Sequence, residues 1–209
     1  MTVIIEIIVL GTILFPSVIL HEYAHGWVAY QFGDPTAKLA GRLTLNPLKH
    51  VDPVGTILIP GILLTLSLLG KGTLMFGWAK PVPVDFSRLH HPKRDMIWVG
   101  LAGPAVNVVL AILFSQLLKT QMPALARQFM EAAVFINLLL ATFNMIPIPP
   151  LDGSRLVTGL LPRRLAVLYN RLERYGILIV IILIYLGLFD GVVVPAVELM
   201  GKLLGVSFS

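Results

Sequence analysis

The sequence predicts an all-α polytopic membrane protein with about five membrane segments and a re-entrant, partly extended element at 54–84. Three observations carry this expectation. Of the 209 residues, 56% are hydrophobic and only 13% charged, against about 25% charged in ordinary soluble domains. A water-soluble globule of this size needs more polar surface, so the bilayer is the expected solvent. Apolar runs recur at 3–32, 54–69, 95–118, 128–146 and 176–189. The sixteen Lys and Arg fall mostly in the short loops between them, where topology signals belong.

The net charge of +5 does not point to nucleic acid, because basic and aromatic residues are not interleaved as in single-strand binders. With no cysteine in the chain, disulfides, thiolate ligands and a thiol nucleophile are excluded.

The first run, 3–32, lacks a basic n-region and a small-residue cleavage site, so it is expected to be a retained span. Fully helical, it is about 45 Å long. It ends at Gly33-Asp34-Pro35, a stop and turn signal. The second run is interrupted by Pro60-Gly61 and closed by Gly70-Lys71-Gly72. Lys80-Pro81-Val82-Pro83-Val84 follows, and prolines at alternate positions suit an edge strand. The third run contains Ala102-Gly103-Pro104-Ala105, with Asn107 one turn beyond Gly103; small residues let helices approach closely in lipid. The fourth holds Asn137 and Asn144. The fifth is the last span, and the tail 190–209 either lies along the interface or re-enters. Residues 1–209 are expected to form a single membrane-embedded domain with its core at 3–160.

The chemistry is concentrated in His21-Glu22-Tyr23-Ala24-His25. Positions i and i+4 share a helix face, so both imidazoles can reach one ion. Zinc suits imidazole nitrogen in a tetrahedral shell. Glu22 follows the first ligand directly, placed to take a proton from a zinc-activated water. Three ionisable groups within five residues of an apolar helix need a functional reason, since each costs a few kcal/mol at membrane depth. A catalytic zinc usually takes three protein ligands, and Asp152 in Leu151-Asp152-Gly153 is the candidate for the third.

Together these motifs resemble the site-2 protease family of intramembrane zinc metalloproteases, in its small form without a regulatory domain. The residues that carry the resemblance are His21 to His25, Ala102-Gly103-Pro104-Ala105-Val106-Asn107, and Asn144-Met145-Ile146-Pro147 to Leu151-Asp152-Gly153. Phe76 to Val84 is similar to a stretch of the same subgroup. The resemblance implies a peptidase acting on membrane-spanning peptide or protein substrates, with one zinc ion per chain. It implies His21, His25 and Asp152 as ligands, Glu22 as general base, and Asn144 as a donor to the scissile carbonyl or oxyanion. Asn107 matches a family asparagine, with interhelical bonding as its other reading.

Convergence on one ion constrains topology. If 54–69, 95–118 and 128–146 each cross once, Asp152 ends on the wrong side of the membrane. If 54–78 enters and returns, Asp152 comes back to the histidines. The returning arrangement gathers 12 of the 16 Lys and Arg on one face, whereas five simple spans divide them 6 to 10. The positive-inside rule favours the first. The expected protein is therefore a multi-pass cell-membrane protein with its active site nearer the cytoplasmic face and its N-terminus outside. The extended stretch 73–84 either pairs with an unwound substrate by strand addition or fills a gap between helices. In the pairing case, proline at Met75 or Val82 lowers cleavage without loss of zinc.

Trp27, Trp78 and Trp98 read as interfacial anchors. His50, His90 and His91 lie in basic loops and are expected to be solvated or at lipid headgroups. Arg163, Arg164, Arg171 and Arg174 form a cluster suited to anionic lipid. The turn Gly41 to Pro47 has no chemical task in this reading. The rival functions are a catalytically silent membrane-protein chaperone and an ion-coupled transporter.

Overall fold

The structure, a computed structural model, describes residues 10–68 and 78–208. Residues 3–9 of the first apolar run and 69–77 of the expected re-entrant element lie outside the described residues. Among the described residues the protein is all-helical, with no strand.

A π-helical turn, Leu10–Leu14, leads into α1, Phe15–Gln31. Gly33, at φ +101°, stops α1. The Gly33 N–H donates to the Tyr30 carbonyl at 3.1 Å and the Asp34 N–H to the Ala29 carbonyl at 2.9 Å, the paired bonds of a Schellman end. A side chain at position 33 would also collide with the His90 ring.

Asp52 caps the next element, its Oδ1 accepting from the N–H groups of Val54 and Gly55. A π-helical segment, Pro53–Leu58, continues into α2, Ile59–Leu68. When the chain is next described, at Trp78, it lies beside the start of this element. The Trp78 N–H donates to the Gly55 carbonyl at 3.1 Å, and Thr56 Oγ1 donates to the Trp78 carbonyl at 2.8 Å. Residues 78–85 then run as a non-helical strap along the end of α1.

The central element is α3, Pro92–Leu117, which packs on α1, on α4 (Ala124–Asn144) and on α5 (Gly153–Leu160). Its N-terminus is closed by Asp95, whose carboxylate accepts from the His91 N–H at 2.7 Å. Glycines allow the close approaches. A Cβ at Gly100 would stand 2.8 Å from Arg155 Cβ and 3.1 Å from the Asp152 carbonyl oxygen, separations that real Cβ atoms rarely adopt. Helix α6, Arg163–Asn170, and a 3₁₀ turn lead to α7, Gly176–Tyr185.

Helices α3 and α4 are each long and apolar enough to cross a bilayer. Arg163–Tyr185 and Phe189–Leu203, bent by 74°, make a third if they count as one span. The bend falls at Gly187, with φ +91°. The chain then turns back through α8, Val194–Leu203. Val193, Val197 and Val206 are buried with Ala111, Leu118, Val134 and Leu138 of α3, its C-terminal end and α4. A second apolar cluster of Ala29, Leu89 and Val99, with Phe32, Val84 and Phe86 against it, joins the end of α1, the strap and the start of α3.

Candidate metal centre

His21 and His25 lie one turn apart on the buried face of α1 and point at α3. Their Nε2 atoms are 3.0 Å apart. Asp152 Oδ2 lies 2.9 Å from His21 Nε2 and 3.2 Å from His25 Nε2. Donors about 2.0 Å from a tetrahedral zinc are spaced by roughly 3.3 Å, so this triangle fits the ion after a few tenths of an ångström of expansion. Two imidazoles and a carboxylate are also a donor set that zinc accepts. Asp152 stands at the N-cap position of α5, where an aspartate ordinarily accepts from the helix N–H groups. Here its side chain caps nothing and its oxygen faces the imidazoles instead.

The turn that delivers Asp152 is tight. Ile148 N–H donates to the Ile146 carbonyl at 2.8 Å and Leu151 N–H to the Ile148 carbonyl at 2.9 Å. Gly153 then sits against the carbonyl groups of Met145 and Ile146, with no room for a Cβ. The glycine of Leu151-Asp152-Gly153 is thus required by this fold-back.

The back of each ring is also engaged. Asn107 Oδ1 lies 2.5 Å from His21 Nδ1. Asn107 Nδ2 donates to Asn137 Oδ1 at 3.0 Å, and Asn137 Nδ2 to the Ala133 carbonyl at 2.9 Å. Both asparagines are fully buried. His25 Nδ1 lies 2.6 Å from the Val99 carbonyl oxygen. With oxygen acceptors at both Nδ1 atoms, the protons belong there and both Nε2 lone pairs face Asp152. Gly103 closes the remaining side: a Cβ there would run into Nε2 of both rings.

Glu22 is half-buried, and its Oε2 accepts from the Val82 N–H at 2.8 Å. A proline at Val82 therefore removes a bond to Glu22, so the loss of cleavage expected from it has a cause besides strand addition; Met75 lies outside the described residues. Asn144 ends α4, and its Nδ2 donates to the Leu140 carbonyl at 3.0 Å. The structure thus brings His21, His25 and Asp152 together and adds Asn107, while Asn144 is engaged within its own helix. His50 differs from the solvated histidine expected: it is fully buried, 2.7 Å from the Thr44 carbonyl oxygen, because the 41–50 loop folds around it.

The model of peptidase family M50 matches residues 119–187, which include Asn144 and Asp152. A relative named "Putative zinc metalloprotease YwhC", from Bacillus subtilis (strain 168), is 41% identical over 180 residues, 81% of this chain and 77% of that protein. The chain belongs to peptidase family M50. A second relative, "Putative zinc metalloprotease Rip2" of Mycolicibacterium smegmatis (strain ATCC 700084 / mc(2)155), is 32% identical over 173 residues, 80% of this chain and 63% of Rip2. Zinc metalloprotease MJ0392 of Methanocaldococcus jannaschii is 24% identical over 166 residues, 75% of this chain and 35% of that one. The chain thus spans less than two thirds of these last two. No solved structure matches it. Membership in M50 and the apolar helices identify a membrane protein.

If M50 chemistry runs on this triangle, Asn107 sets the orientation and basicity of His21. Replacing it with Ala is expected to weaken zinc binding by about 10–100-fold, the usual cost of losing such a partner. Competition with a chromophoric chelator measures this; unchanged affinity would assign Asn107 to helix packing alone.

Proposed function

We propose that this protein hydrolyses peptide bonds within or close to the bilayer, in membrane-spanning substrates, with one zinc ion per chain. The ligands are His21, His25 and Asp152, and Glu22 is the general base. The observation that carries the reading is the convergence of three donor atoms from α1 and the turn before α5. Family membership supports the metalloprotease chemistry. Held by His21, His25 and Asp152, a zinc ion would supply Lewis acidity to the attacking water and the scissile carbonyl. Glu22 takes the proton of the attacking water and delivers it to the leaving amine. Asn144 donates to the developing oxyanion; an amide carries two N–H donors, and Leu140 engages one.

The proposed topology has five membrane segments, with 54–78 entering and returning, in one peptidase domain spanning 1–209. The bonds between Trp78 and residues 55–56 support the return, because they bring the chain back to the place where the segment begins. The same arrangement puts the site nearer the cytoplasmic face and the N-terminus outside. The chain contains no cysteine, so single cysteines at positions 2, 40 and 90 label cleanly. Positions 40 and 90 are expected on one side and 2 on the other; finding 2 and 40 together contradicts the topology.

The function is tested by stripping the purified protein with a chelator and assaying a model transmembrane peptide. Activity is expected to vanish and to return at one equivalent of zinc, with product masses placing the cut in the apolar segment. Cleavage that persists without metal would overturn the reading.

A further inference from the structure

The turn Gly41 to Pro47, which had no task in the sequence, grips the strap. Arg42 is buried, 8% exposed, a rare state for a guanidinium without a partner. Among the described residues no carboxylate forms an ion pair with it. Its Nη2 instead donates to two strap carbonyls, Lys80 at 2.6 Å and Pro81 at 3.3 Å.

The Pro81 carbonyl and the Val82 N–H belong to one peptide group, which is planar and rigid. Arg42 holds its oxygen, and Glu22 accepts from its N–H at 2.8 Å. A cation and an anion therefore grip opposite ends of one peptide dipole. Each polarises it in the sense that strengthens the other's bond. Pro81 and Pro83 flank this group with fixed φ and no N–H of their own, so Val82 is the sole backbone donor of residues 81–83. The strap is fastened on both sides of it. Lys80 N–H donates to the His50 carbonyl at 2.9 Å, and Asp85 N–H donates to Asp34 Oδ2 at 2.7 Å.

We propose that Arg42 is a positioning residue for Glu22, acting through the Pro81–Val82 peptide group to fix the carboxylate beside the metal centre. The inference rests on the reading of Glu22 as general base. It gives the 41–50 loop a purpose: the loop carries the cation and, through the His50 carbonyl, the neighbouring strap contact. With one oxygen tied to Val82, the carboxylate keeps a single orientation and presents its other oxygen to the water. Losing that orientation costs rate at the proton-transfer step and leaves the ligands untouched.

The test uses the full-length, zinc-loaded protein in detergent, with cleavage of a transmembrane peptide, zinc content and melting temperature measured on each variant. For Arg42→Ala, kcat is expected to fall by about 10–100-fold, the scale of an ångström-sized misplacement of a catalytic group. KM is expected to move less than about threefold, with zinc content unchanged. Millimolar guanidinium should restore much of the rate to Arg42→Ala and none to Glu22→Gln. Arg42→Lys, which keeps charge and a donor, should fall between Arg42→Ala and the unaltered protein and serves if the alanine variant fails to fold. Full kcat in both Arg42 variants overturns the inference. So does a fall confined to KM, which would make the strap a substrate contact, or a fall that tracks lost zinc. If Glu22→Gln cleaves at the full rate, the reading of Glu22 as general base fails; if it is slowed as expected while the Arg42 variants run at full rate, only this inference fails.

Discussion

Glu22→Gln is expected to lower peptide cleavage by about 10²–10⁴-fold, the usual contribution of a positioned general base, while the protein keeps its zinc. The substitution is clean for a structural reason. Glu22 is not among the three donors that face one another. Its contact to the strap is an accepted hydrogen bond from the Val82 N–H, and the glutamine carbonyl oxygen still accepts that bond, though without the carboxylate's charge. The strap, the loop behind it and the ligand triangle all stay in place. What is lost is the capacity to take a proton from water and return it to the leaving amine. Cleavage assays with zinc analysis on the same preparation decide it, and undiminished cleavage would remove Glu22 from the mechanism.

Gly103→Ala is expected to abolish zinc binding and with it activity, although alanine favours a helix over glycine by about 1 kcal/mol. The added methyl would meet Nε2 of both His21 and His25. The rings have nowhere to retreat, because Asn107 and the Val99 carbonyl hold them from behind. The methyl therefore competes directly for the metal's side of the imidazoles. The loss should exceed the ~10–100-fold expected from removing an outer partner such as Asn107. A variant that still folds, melts no higher than the metal-free unaltered protein because the added methyl overpacks the site, and holds no zinc is the expected outcome. Full zinc in Gly103→Ala would mean that the histidines do not face the ion as the structure has them.

These two sites differ in how far the sequence revealed them. The histidine pair was legible because helical periodicity alone puts His21 and His25 on one face, and Asp152 stood out as an acidic residue in a turn beside an apolar run. Asn107 could be singled out as a polar residue in an apolar helix, but not given its partner, which lies 86 positions away. The Val99 carbonyl was beyond reach, since every residue carries one and only packing decides which is used.

His50 departs from the solvated state expected of it, and Arg42 had no task in the sequence, for one cause: charged and polar residues in a basic loop are usually solvated, and only the folded strap shows that this loop closes over them. The last apolar run likewise gave composition but not direction. Hydropathy continues past Gly187, whereas the backbone turns there at positive φ and brings Val193 and Val197 back onto α3 and α4. The helical class and the placement of α3 and α4 followed from hydropathy, with boundaries displaced by one to four residues at each helix start or end.

The central claim is that His21, His25 and Asp152 bind the same zinc ion, and X-ray absorption at the zinc edge of the loaded protein tests it most directly. The account predicts only nitrogen and oxygen neighbours at about 2.0–2.1 Å, an outer-shell signature of two imidazoles, and a changed first shell in Asp152→Ala. A spectrum with fewer than two imidazoles, or one that Asp152→Ala leaves unaltered, would contradict it.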